Sequence, residues 1–135
     1  MSCEIAAAAM LWLAAATAPL SPEPKAPPPA VAHEPLFADI VARAGGLKRQ
    51  VDALRGKSEA ALPAAFKTGI AELADLDMKG HVTLAQRGTD GDLKCILKGI
   101  SEDLAVKMAA VEAASDAQGR KLALDDMAYL LNDDV

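Results

Sequence analysis

Aromatic residues are few in this 135-residue chain: two phenylalanines, one tyrosine and one tryptophan, Trp12. Aromatic and β-branched strand formers are scarce, which excludes an all-β fold. A basic excess is also lacking. Fourteen Lys and Arg face nineteen Asp and Glu, a net charge of −5. That balance argues against nucleic acid as a partner, which would require a basic face. Glycine-rich phosphate loops, zinc-ligand spacing and a serine-triad pattern are all missing, so no enzyme is expected. Two cysteines cannot build a disulfide framework, and stability must come from packing. What is abundant is alanine, thirty residues of it, the residue with the best helix propensity. The length allows one domain. The expected fold class is therefore all-α, a small domain of four to five helices.

The run Ile5–Ala18, IAAAAMLWLAAATA, carries no charge. It is shorter than the roughly 18–20 residues of a membrane-spanning helix, so no stable membrane span is expected. Its length suits the apolar region of a secretory signal. Ala14-Ala15-Ala16 and Ala16-Thr17-Ala18 both fit an A-x-A cleavage site. Glu4, with no Lys or Arg before the run, departs from the usual signal. Residues 1–18 are read as a signal peptide and the protein as periplasmic or secreted; retention of the segment would make it cytoplasmic. Seven of the eight prolines fall between Pro19 and Pro35, which reads as an extended tether over 19–35. His33 in this tether is read as solvated. Cys3 would leave with the signal. Cys95, in the apolar stretch Leu93–Leu97, is expected to be a buried, inert thiol, and nothing in the sequence positions it beside His81 as a nucleophile pair.

From residue 36 to 135 helical periodicity dominates. Phe37, Ile40, Ala44, Leu47, Val51 and Leu54 are spaced 3, 4, 3, 4, 3, an amphipathic seam. Gly45-Gly46 interrupts it, suggesting a kink or a close helix approach, and Gly56 is placed to stop it. A second helix begins near Pro63 and carries Leu62, Phe66, Ile70 and Leu73. A third stripe runs from Leu93 to Val111, with a break expected at 99–103 and Ser101 as an N-cap. The last segment holds Leu122, Leu124, Met127, Leu130 and Leu131. Between these lie two polar, glycine-containing stretches read as loops, 75–86 and 116–126. Thr89 or Asp90 is read as a further N-cap.

The first stretch places Asp75 and Asp77 at positions 1 and 3 of a twelve-residue calcium loop, Gly80 at 6 and Val82 at 8, with His81 at 7 and Gln86 at 12. The second offers Asp116, Gln118 and Asp126 around Gly119, one residue short, and starts 41 residues after the first. On these residues the stretch 62–131 resembles a degenerate EF-hand pair of the calmodulin-like helix–loop–helix family. The resemblance implies calcium ligands at Asp75, Asp77, His81, Gln86, Asp116, Gln118 and Asp126. It also implies Thr83 at the start of an exiting helix and contact between Val82 and Leu122 through a short backbone ladder. The departures are Lys79 at position 5, Gln86 in place of the bidentate Glu, and Arg120 in the second loop. Intact loops can be as weak as about 10⁻⁴–10⁻³ M, so calcium is expected to bind weakly or not at all and no other cofactor is implied. Two readings follow: an exported, non-enzymatic interaction or structural module with vestigial loops, or a plain helical-bundle adaptor or inhibitor without a metal site. Either would act on a protein partner whose identity the sequence does not give. The seam over 36–54 is read as core.

Overall fold

The computed structural model describes residues 30–57, 59–88 and 91–135. The signal segment, most of the tether, and the caps assigned to Thr89 or Asp90 lie outside the described residues. A 3-10 turn, Ala30–His33, leads into four helices: α1 (Pro35–Arg55), α2 (Ala64–Arg87), α3 (Gly91–Ala113) and α4 (Ala117–Asp133). The expected all-α fold is the observed one, with four α-helices among the described residues. The tether's last residues are therefore folded: Ala30–His33 form the turn, and Pro35 opens α1, where its missing N–H costs nothing. His33 is exposed.

Cross-helix contacts fix the topology. Arg43 reaches Glu72 at 3.0 Å, and Arg87 reaches Glu34 at 2.7 Å, so α1 and α2 run antiparallel. His81 meets Lys94 while Lys67 meets Glu112, which makes α2 and α3 antiparallel. Lys48 donates to Asn132 at 2.7 Å, and Arg55 pairs with Asp125, closing α4 against α1. Each helix packs on its two ring neighbours, and the diagonal pairs α1–α3 and α2–α4 make no backbone approach. The result is an up-down-up-down four-helix bundle. These exposed ion pairs set register more than they stabilise, since such pairs contribute about 0–1 kcal/mol.

The core lies along the bundle axis. The α1 seam is buried at Phe37, Ile40, Ala44, Leu47 and Val51, as its spacing predicts. Phe66, Ile70, Leu73 and Leu84 answer it from α2, Leu97, Ile100, Leu104 and Val111 from α3, and Leu124, Met127 and Leu131 from α4. Helix α1 passes through Gly45-Gly46 as continuous helix, and two expected interruptions are absent: α2 continues to Arg87, and α3 runs through Gly99–Asp103. Ser101 is no cap; its hydroxyl donates to the Ala74 carbonyl at 2.7 Å, tying α3 to α2. Gly56 does end α1, in a right-handed conformation, whereas Gly88 ends α2 at φ 66°, which favours glycine. Pro63 stands one residue before α2 as its N-cap.

Gly80 has a packing reason. A Cβ there would stand 3.0 Å from a Leu97 methyl and 3.3 Å from Ile40 and Phe37. Gly80→Val is therefore expected to overpack this crossing and to cost about 1–3 kcal/mol, read from urea unfolding. At the start of α4, the Asp116 carboxylate accepts from the Gly119 N–H at 2.6 Å. Asp116→Ala should lose about 1 kcal/mol by the same measurement.

Candidate functional site

The residues assigned to calcium fall on helices, not loops. Asp75, Asp77, His81 and Gln86 all lie inside α2. Positions two apart on a helix point to opposite sides; accordingly Asp75 is exposed while Asp77 is fully buried. Gln86 is exposed in the last turn. The His81 imidazole is half-buried, with Nδ1 2.6 Å from the Lys94 carbonyl, so that nitrogen carries the hydrogen and donates it. Thr83, expected to cap an exiting helix, is within α2 and donates to the Lys79 carbonyl one turn back. In the second stretch Asp116 is the N-cap of α4, Gln118 is exposed in its first turn, and Asp126 faces Lys107 at 3.5 Å. Among the described residues no group of three or more His, Cys, Asp or Glu is disposed to hold a metal ion.

The ladder between Val82 and Leu122 is likewise absent. Both side chains are exposed, at 44% and 56%, on helices that sit diagonally across the bundle. The loops that the EF-hand resemblance requires are thus replaced by continuous helix. The physical reason is that Gly80, read as a sharp turn, serves a close crossing, while Leu76, Met78, Lys79, Leu84, Ala85 and Gln86 around it have good helix propensity. Millimolar calcium is expected to leave the thermal midpoint unchanged, whereas a ligand for the native state would raise it. Cys95 also departs from expectation: it is half-buried rather than buried, and it is not a free thiol.

What the structure brings together instead is an apolar recess and a pair of carboxyls. Helix α4 ends at Asp133, level with Lys48 of α1, because Asn132 bonds that lysine. Thirteen residues of α1 lie beyond this level, about 20 Å of helix. At this end of the bundle, among the described residues, lies a recess of about 230 Å³, walled by Phe37, Ile40 and Val41 of α1, Leu93, Ile96 and Ile100 of α3, and Val31 of the turn. Asp133, Asp134 and Val135 stand at the end of α4 and complete it. Val41 and Ile96 are 38% and 51% exposed, so the recess opens to solvent through apolar walls.

Asp134, only 7% exposed, lies against the fully buried Asp77. Among the described residues no other group donates to either oxygen of Asp77 or to Oδ2 of Asp134. Burial, and then the charge of Asp134, pushes the Asp77 carboxyl up to about 8. Burial pushes Asp134 up to about 6, with Asp133 adding to it. Two close carboxyls out of water satisfy each other best when they share a proton. The sequence reading missed this pair. A signal for it was present, since Asp77 occupies the seam position in Ile70, Leu73, Asp77, Gly80, Leu84. Chemically the recess suits an apolar body, with Asp134 as a polar element at its inner end.

No described helix is long and apolar enough to cross a membrane. No family model matches the chain, and neither a curated protein nor a solved structure matches it.

Proposed function

We propose that the protein is a non-enzymatic helical-bundle adaptor, exported and without a metal site, that receives an apolar helical segment in the recess beyond α4. The observation that carries this reading is the apolar recess at the end of α4, whose rim residues Val41 and Ile96 are 38% and 51% exposed. Burial of such a rim contributes about 25 cal/mol per Å², and a helix is the element that packs on a bundle. The recess is larger than the roughly 150 Å³ cavity that holds a benzene ring, so it can accept one bulky side chain from an incoming helix. Export is supported by the uncharged Ile5–Ala18 run and the proline-rich stretch behind it.

The test uses the full, uncut chain. A labelled alanine/leucine-rich helical peptide of fourteen residues should bind, as followed by fluorescence anisotropy. Ile96→Asp should weaken it by roughly tenfold or more, since each factor of ten needs only 1.4 kcal/mol. Absence of binding, with the bundle still helical by circular dichroism, would reject the reading.

A further inference from the structure

A carboxylate is costly to bury without a donor, because its charge loses the water that solvated it. Asp134 is 7% exposed and nonetheless lines the apolar recess. Asp77 stands against it from α2, fully buried, and among the described residues neither Asp77 nor Oδ2 of Asp134 receives a hydrogen bond from another group. A proton shared between the two carboxyls leaves one negative charge on the pair. With Asp77 pushed up to about 8 and Asp134 to about 6, that is the state of the pair at pH 7. Among the described residues no cation lines the recess: its walls from α1 and α3 are apolar, and its other charged residue is Asp133. Lys48 of α1 donates to Asn132, and His81, one turn along α2 from Asp77, holds the Lys94 carbonyl.

We propose that this recess is a binding site for a small amphiphilic ammonium, its hydrocarbon body against α1 and α3 and its N–H groups on Asp134. The inference goes beyond the docking reading above, since it concerns the inner end of the recess and not a helix laid on the rim. Phe37, Ile40 and Ile100 are nearly buried and form a floor, whereas the exposed Val41 and Ile96 form the mouth. The volume of about 230 Å³ exceeds the roughly 150 Å³ that holds a benzene ring, which leaves room for a ring and a short arm. An ammonium brings three donors and no acceptor, the complement of carboxyl oxygens that lack donors. Hydrogen bonds of that kind, with both partners charged, are roughly twice as strong as neutral ones. A neutral molecule of the same shape would gain the apolar contact alone, and an anion would meet a like charge.

Phenethylammonium, titrated into the full chain at pH 7 by calorimetry, tests the site, with phenethyl alcohol as its neutral analogue. Amines of this class are charged there, since they lose their proton near pH 10, as lysine does. The ammonium should bind saturably and at least roughly tenfold more tightly than the alcohol. Asp134→Asn, which keeps the outline of the side chain, should cost the ammonium that same factor and leave the alcohol unchanged. Asp126→Asn, an exposed change beside Lys107 on the same helix, should alter neither. The comparison of the two ligands on the unaltered protein decides even where the asparagine variant does not fold. The proposal is overturned by ammonium that fails to bind saturably, by equal affinity for the two ligands, or by ammonium binding that survives Asp134→Asn in a folded protein. None of these results touches helix docking, which the peptide anisotropy measures separately.

Discussion

Asp77→Leu should stabilise the bundle by about 2–4 kcal/mol at pH 7.5, an effect comparable with replacing buried ionic groups by hydrophobic ones of similar volume. Leucine has nearly the branched outline of aspartate, so the fully buried site between Leu73 and Gly80 accepts it without a cavity. The aspartate is costly because it must enter the core either uncharged or uncompensated. With its carboxyl pushed up to about 8 by burial, the folded protein keeps a proton that the unfolded chain surrenders near the ordinary value of 3.8. Stability from this group is accordingly complete below about pH 4 and drains away as pH rises through about 8. Asp134, pushed up to about 6, steepens the lower part of that decline. Among the described residues the charged groups that bear on Asp77 are Asp134 and, beyond it, Asp133, both acidic, and neither offsets the trend. Urea unfolding from pH 4 to 9 should give a falling stability for the native protein and a flatter profile for the leucine variant. An unchanged slope, or a loss of stability at pH 8, would mean that Asp77 is ionised and satisfied in the folded state.

Exposed pairs act in the opposite sense at the acid end. Glu34 is held below the usual carboxylate range by its hydrogen bonds from Arg87, and Asp125 by those from Lys121 and Arg55. Their contribution is present above the ordinary carboxylate range and disappears as pH falls below it. Being solvent-facing, they weigh little against the buried pair.

Phe66→Ala should cost about 3–5 kcal/mol, a large share of the 5–15 kcal/mol that holds a domain of this size together. Phe66 is fully buried near the start of α2, at the end of the bundle where all four helices are present. Rigid helices on every side leave the vacated space little chance to collapse. Phe37 is the internal comparison. It borders the recess at the other end of the bundle, where neighbours can shift into space that already exists, so Phe37→Ala should cost distinctly less. Equal losses at the two positions, measured by urea unfolding, would contradict the difference in packing between the ends.

The core was legible in the sequence wherever a 3–4 spacing of large apolar residues persisted. Phe37, Ile40, Ala44, Leu47 and Val51 are read correctly because helical period and burial are the same fact seen twice. The connections were less legible, since glycine has several uses. Gly88 marks a true helix end, Gly80 a crossing of α1, α2 and α3, and Gly99 neither. Treating Gly80 as a turn turned the flanking aspartates into ligands and hid Asp77 from the seam to which it belongs. Nor could the recess be seen in one-dimensional pattern, because it arises from the register of α4 against α1, fixed by Lys48 with Asn132 and Arg55 with Asp125.

That same register bears on how the chain assembles. Helices α2 and α3 are joined by a connection of three residues and find each other through local encounter, whereas Lys48 and Asn132 are 84 positions apart. Closing so long a loop carries more entropy, so the α1–α4 seam should form late in folding and be the first to part in native fluctuations. Amide exchange should then show slow protons concentrated in the central hairpin and faster ones along the outer helices, making the seam the joint through which the bundle breathes.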